Sequence, residues 1–192
     1  LQDSFDELGF KDLAIGNDGT KWIGSYLNGV FGFNENGNRL KNIFDENVAN
    51  LPSPDIRSLA MDNRNQLWIG TNKGLGYFDL KKEQFQLLKE SEDSKMAKAE
   101  ISCLHLDSFD NIWIGTPAQG LLRYKNRAEL KSFVYKKEDK NSITSGWISK
   151  MFEKRDGKVW MSSEKGLNVF DPKNNSVTPY PFTTILPGFT NC

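Results

Sequence analysis

Side chains that commonly carry chemistry are scarce in this sequence. His105 is the single histidine, and Cys103 and Cys192 are the two cysteines. A zinc site built from several His and Cys ligands cannot form within one chain, and neither can chemistry shared between two histidines. A disulfide between Cys103 and the final residue, Cys192, is conceivable and would need favourable geometry. Two cysteines alone do not fix a redox compartment. No Gly-x-x-x-x-Gly-Lys-Ser/Thr string occurs, so a P-loop is excluded. The expectation is no cofactor and no metal. Asp12, Glu100, His105 and Glu153 are the only set from which a catalytic centre could be drawn.

Composition narrows the partners. Lys+Arg and Asp+Glu both number 25, giving a formal net charge of zero, without the basic excess that a nucleic-acid surface carries. A hydrophobic fraction of 38% with 12% aromatics is enough to build a core, so wholesale disorder is not expected. No apolar run approaches the roughly 18 residues of a membrane-spanning helix. The segment is therefore expected to touch neither nucleic acid nor membrane.

The elements that must position these residues are written in a repeat. Trp22, Trp68, Trp113 and Trp160 stand 46, 45 and 47 residues apart. Each sits in a similar string: Asn17 to Ser25, Asn63 to Thr71, Ser108 to Thr116 and Arg155 to Ser163. In three copies a glycine follows two residues after the tryptophan, at Gly24, Gly70 and Gly115. Each copy then continues with Gly29, Gly74, Gly120 or Gly166 and an apolar stretch. A fixed period of about 46 residues signals a solenoid, propeller or array.

Inside the second copy the pattern predicts four short strands, at 56–61, 67–71, 75–79 and 85–88, joined by polar turns. Such spacing fits a four-stranded antiparallel meander. Leu67, Ile69 and Thr71 point to one face of the second strand, and Trp68 and Gly70 to the other. Both faces are suited to packing, as stacked propeller blades require. The four tryptophans are read as core residues filling space between blades, with the neighbouring glycine leaving room for the indole. The fold class is all-β: four four-stranded propeller blades, at about 10–50, 55–98, 100–140 and 147–182, with 183–192 a linker into a further blade.

With Asp-x-x-Gly-x-x-Trp-Ile-Gly-Thr followed by Gly-Leu, the copies resemble the two-component regulator propeller repeat. The resemblance is closest at Asp62 to Leu75 and Asp107 to Leu121. It weakens in the first copy, where Gly16 stands at the Asp position and Ser25 replaces Thr. It also weakens in the fourth, where Lys154 replaces Asp and Met161, Ser162 and Ser163 replace Ile-Gly-Thr. The resemblance implies a periplasmic sensor region of a hybrid two-component system, in which seven-bladed propellers precede a β-sandwich domain, a membrane span and a histidine kinase. It also implies oligosaccharide ligands. It carries no invariant catalytic residues, so no site is transferred. Leu186 to Asn191 resembles the linker Leu51 to Ile56, which leads to the expectation of a fragment of a larger, seven-bladed propeller. A closed four-bladed propeller and a pair of chains forming an eight-bladed ring are the alternatives.

Ligand chemistry should be written where copies differ. Asp12, Ser58, Cys103 and Lys150 are equivalent, as are Ala14, Ala60, His105 and Phe152, and so are Lys11, Arg57, Ser102 and Ser149. All fall on the first strand of a blade, which in propellers lines the channel. Trp147, just before the fourth first strand, offers an indole for stacking on a sugar face, or a plug beneath the loop 141–146. The ligand-binding candidates are Trp147, Arg57, Asp12, Lys150 and His105. For His105, flanked by Leu104 and Leu106, a structural hydrogen bond is favoured over catalysis; Cys103 reads as packing. The turnover set occupies non-equivalent positions, so catalysis is not expected. The function expected is oligosaccharide sensing by an extracytoplasmic receptor segment, with further blades, downstream signalling domains or a second copy as partners. A protein-interaction scaffold is the alternative, and a propeller lyase or lactonase ranks below both.

Overall fold

The structure, a computed structural model, describes residues 9–43, 51–88, 98–125 and 129–185. Sixteen strands form four separate four-stranded antiparallel sheets, each a meander in chain order. The first sheet holds β1 (Phe10–Ile15), β2 (Lys21–Ser25), β3 (Val30–Phe33) and β4 (Arg39–Asn42). The second holds β5 (Ile56–Met61), β6 (Gln66–Thr71), β7 (Gly74–Asp79) and β8 (Gln84–Leu87). The third holds β9 (Cys103–Leu106), β10 (Ile112–Gly115), β11 (Leu121–Lys125) and β12 (Glu129–Phe133). The fourth holds β13 (Ile148–Glu153), β14 (Val159–Ser163), β15 (Gly166–Asp171) and β16 (Ser176–Pro181), followed by one helical turn, α1 (Phe182–Ile185). The expected propeller-blade meanders are thus present. The tails 44–50, 89–97 and 186–192, with Cys192, lie outside the described residues.

The sheets fall into two compact units, Leu1–Ile101 and Ser102–Cys192. In the first, Trp22, Val30 and Ala14 of one sheet pack with Ile56, Leu59, Leu67, Ile69 and Phe78 of the next. In the second, Cys103, Trp113 and Leu121 pack with Ile148, Val159, Met161 and Phe170. Each unit links its two sheets in the same way. Gly29 N–H donates to the Pro54 carbonyl at 3.0 Å in the first, and Gly120 N–H to the Gly146 carbonyl at 2.9 Å in the second.

The repeat acquires its meaning in the turn before each tryptophan. Asp62 is buried, and its Oδ1 accepts from the amides of Arg64 at 2.8 Å and Gln66 at 3.0 Å. Its Oδ2 accepts from Trp68 Nε1 at 3.0 Å. Asp107 repeats this with the amides of Phe109 and Asn111 and with Trp113 Nε1 at 2.7 Å. One carboxylate thereby closes the hairpin and satisfies a buried indole. The turn also needs a left-handed residue, supplied in the four copies by Gly19, Asn65, Asp110 and Gly157. At the strand's other end, a hydroxyl closes the next turn. Ser25, Thr71, Thr116 and Ser163 each donate to the carbonyl of Gly29, Gly74, Gly120 or Gly166 at 2.9–3.0 Å.

Copies one and four solve the turn differently. The aspartate stands two residues later, and Asp18 and Asp156 accept from the amides of Thr20 and Lys158. Neither reaches the indole. Trp22 Nε1 is buried with no partner. Trp160 corrects the expectation of four buried tryptophans: it is 36% exposed, whereas Trp68 and Trp113 are 0% exposed. It pairs across the strands with Phe152, which is also exposed. Its indole stacks on Tyr180, 6.2 Å away.

The glycine after the tryptophan is also corrected. A Cβ on Gly24 would come within 2.6 Å of Ile56 in the adjoining sheet, and one on Gly115 within 2.5 Å of the Cys103 sulfur and 3.1 Å of the Ile148 carbonyl. These glycines admit the neighbouring chain, not their own indole. Room for the Trp22 ring comes from Gly32, where a Cβ would lie 2.8 Å from it.

Replacing Asp107 with Ala should lower stability by about 3 kcal/mol, because a buried indole N–H and turn amides lose their acceptor together. Trp160→Ala should cost clearly less than Trp113→Ala, for which about 3–5 kcal/mol is typical. Chemical denaturation of the three variants checks both expectations. Conversely, Gly16→Asp combined with Asp18→Ser restores an acceptor for Trp22 and should raise stability by about 1 kcal/mol, read as a higher denaturation midpoint.

Candidate functional site

The first strand of each sheet is an edge strand, and three of the four carry a register shift near their start. The shifts fall at Lys11, Arg57 and Ser149, which the sequence alignment had grouped as equivalent. A bulge of this kind redirects a side chain out of the pleat. At Arg57 it brings Nη2 to 3.0 Å from Asp55 Oδ2 and 3.6 Å from Glu100 Oε1. Asp55 is buried, so this guanidinium serves as its counter-ion, which ties the side chain down.

Asp12 is similarly engaged. Its Oδ2 accepts from Ser58 Oγ at 2.6 Å and from the Leu59 amide at 2.8 Å, which clasps β1 to β5. In the second unit the corresponding clasp runs from Ser102 Oγ to the Ile148 carbonyl, with the Cys103 sulfur 3.6 Å from the same oxygen. Lys150 is exposed on β13. The five candidates are divided between the two units. Arg57 and Asp12 lie in the first unit, and His105, Trp147 and Lys150 in the second.

His105 sits opposite Trp113 across β9 and β10. Its Nε2 is buried without a hydrogen-bond partner, so the structural hydrogen bond expected of it is not made by that atom. Burial holds its pKa below the ordinary 6.5, against the opposing pull of Glu153 and Asp107. Neutral imidazole is the preferred form in the folded chain. Glu153, the other residue of the turnover set in this unit, is committed to Ser108, accepting from its amide at 2.8 Å and its hydroxyl at 2.6 Å.

Trp147 is 45% exposed. Its amide donates to Ser145 Oγ at 3.2 Å, and that hydroxyl lies 3.4 Å from Glu164 Oε2. Nearby on β13 and β14 the exposed hydroxyls of Ser149 and Ser162 meet at 2.9 Å. An exposed indole, with a hydroxyl and a carboxylate joined at its own backbone amide, offers an apolar face and polar neighbours, the combination that a sugar ring requires.

Two cavities in the second unit were not anticipated. One, of about 650 Å³, is lined by Tyr135, Lys136, Lys140, Glu164, Lys165 and Phe182 among others. The other, of about 660 Å³, is lined by Phe109, Asn111, Arg123, Lys125, Phe170 and Asn175 among others. Arg123 was legible after the fact. Its equivalents in the other copies are Gly32, Tyr77 and Val169, so a cation stands where the repeat otherwise holds small or ring-bearing residues. Among the described residues, no cluster of three or more His, Cys, Asp or Glu has metal-binding geometry.

The fold defined here is that of β-propeller blades, and comparison with known proteins agrees. Residues 50–73 match the family described as Two component regulator propeller, the repeat that the sequence resembles. Histidine kinase P4 of Formosa agariphila is 25% identical over 173 residues, which is 87% of this chain and 12% of that protein. Of that curated relative, then, the chain spans only about an eighth of the length. The extracellular domain of the hybrid two-component system BT3049 from B. thetaiotaomicron superposes with a TM-score of 0.76 at 21% identity, over 93% of this chain and 24% of that one. A catalytically inactive virginiamycin B lyase from Staphylococcus aureus superposes with a TM-score of 0.68 at 12% identity, over 96% of this chain and 60% of that one. Both superpositions concern the fold.

The depressed His105 pKa carries a sign. The folded chain holds imidazole neutral, so its contribution to stability is complete above the unfolded value near 6.5 and is lost as pH falls from there through the lower folded value. Stability measured by denaturation should fall between pH 7 and pH 5 more steeply for the natural chain than for His105→Ala, the residue found at the equivalent positions 14 and 60.

Proposed function

We propose that this chain is a non-catalytic, ligand-sensing segment of a two-component receptor, lying in the periplasm and responding to an oligosaccharide. One observation carries the reading: residues 50–73 match the two component regulator propeller family, in a chain whose curated relative is a histidine kinase. The site geometry supports it. Asp12, Glu153 and Arg57 are bound into structural pairs, while Trp147 remains exposed, its amide held by the Ser145 hydroxyl that also meets Glu164. That arrangement suits binding better than turnover, and in this reading the sugar lies on the β13 edge of the fourth sheet.

The partners in this reading are further blades and signalling domains of the parent protein. Leu13 and Ile15 of the first sheet, and Phe152 and Trp160 of the fourth, expose large apolar side chains. A further blade is the occupant that suits them, because both the kinase relative and the two-component ectodomain are several times longer than this chain.

A glycan array followed by calorimetry on the complete ectodomain tests the proposal. Saturable binding of a defined oligosaccharide is expected. Trp147→Ala should weaken it about fivefold, the scale of one aromatic contact worth about 1 kcal/mol. An ectodomain that binds no oligosaccharide would overturn the sensing role. Affinity unchanged by Trp147→Ala would remove this edge from the site while leaving the sensing role standing.

A further inference from the structure

The cavity of about 660 Å³ in the second unit is built around an unusual cation. Arg123 on β11 is only 5% exposed, yet it lines the cavity. One of its nitrogens, Nη1, donates to Asn175 Oδ1 at 2.7 Å, and Nε is buried with no acceptor. Its remaining company is aromatic: the guanidinium carbon lies 5.2 Å from the Phe170 ring centre and 5.7 Å from that of Trp113. Among the described residues no carboxylate is recorded in an ion pair with it. Burying a charge without a counter-ion is costly, and ring faces offset only part of that cost.

The rest of the lining has the same character. Asn111 is also buried, and its Oδ1 has no partner while its amide nitrogen is held by Asp107. Lys125 and Lys173 stand at the rim with Asp156, which leaves the lining, Arg123 included, with three cations against one anion. Phe109, 58% exposed, presents a ring with Pro172 opposite the polar groups. The lining thus offers cations to an anion, the Asn111 carbonyl oxygen to a hydroxyl donor and the Phe109 ring to an apolar face.

We infer that this cavity binds an acidic sugar unit, with its carboxylate directed at Arg123 and the two lysines, a hydroxyl at Asn111 and its ring face against Phe109. The inference rests on the oligosaccharide reading above and names the chemical class of ligand for a second position in the same unit. A guanidinium suits a carboxylate because its planar donors match two oxygens at once. Selectivity then follows from charge: a neutral sugar of the same shape leaves Arg123 as it is.

Calorimetry on this 192-residue chain tests the assignment, with an oligogalacturonide as the probe and its fully methyl-esterified form as the neutral control. The acidic form should bind saturably and at least tenfold more tightly than the ester. Raising the salt from 50 to about 500 mM should weaken it severalfold. Arg123→Gln should reduce affinity at least tenfold. Because Arg123 is buried, the double change Lys125→Ser with Lys173→Ser provides a surface variant that leaves the packing intact, and it should reduce affinity about fivefold. Equal binding of acid and ester would overturn the inference, as would no binding of the acid at millimolar concentration, or acid binding indifferent to the lysine variant. Each of these results leaves the sensing role to be decided by the ectodomain array. Absence of binding on that array, with the acid still bound here, would overturn the sensing role and keep the cavity assignment.

Discussion

The carboxylate of the turn before each repeat tryptophan is the contact on which the sheets depend most. Asp62 and Asp107 each hold two turn amides and an indole N–H, all inside the protein. A buried indole is a large apolar body with one donor, and the donor must be satisfied if the body is to be buried without penalty. One aspartate therefore fixes the hairpin geometry and licenses the packing of the tryptophan. The same residue explains why the motif spaces Asp and Trp six residues apart. That separation carries the chain through a tight turn and two residues back along the second strand, which brings the side chains face to face.

The two outer copies show what happens when this contact is released. Moving the aspartate to positions 18 and 156 keeps a turn amide satisfied but abandons the indole. Trp22 stays buried with an orphan donor, and Trp160 lies partly open. The repeat is thus more stringent in the second and third copies, where both faces of β6 and β10 are packed, than in the first and fourth.

Edge strands add a second constraint. Their backbone groups would otherwise be unpaired, so the start of each first strand is used to join neighbours. Asp12 reaches Ser58 and Leu59, and Ser102 reaches Ile148. Residues that look available for ligands in sequence are consumed by this joining. Arg57 shares that fate for an electrostatic reason, since the buried Asp55 beside it requires a positive partner.

The sequence alone determined the repeat, the four meanders and the strand positions of the second copy, which fall within one residue of those observed. It could do so because period, turn residues and strand alternation are local properties, each set by neighbours a few positions away. It also exposed the departures at Gly16 and Lys154, although their consequence for the indoles was not visible there. The tertiary structure alone decided the roles of individual polar residues. Whether Asp12 meets a ligand or a neighbouring strand, or whether Gly24 makes room for an indole or for Ile56, depends on residues about 30 to 46 positions away in sequence. Arg123 illustrates the limit well: its charge at an otherwise small or ring-bearing position was legible, but its burial against Trp113 and Phe170 required the folded chain. Solvation and pairing are properties of an assembled environment, and a linear pattern does not carry them.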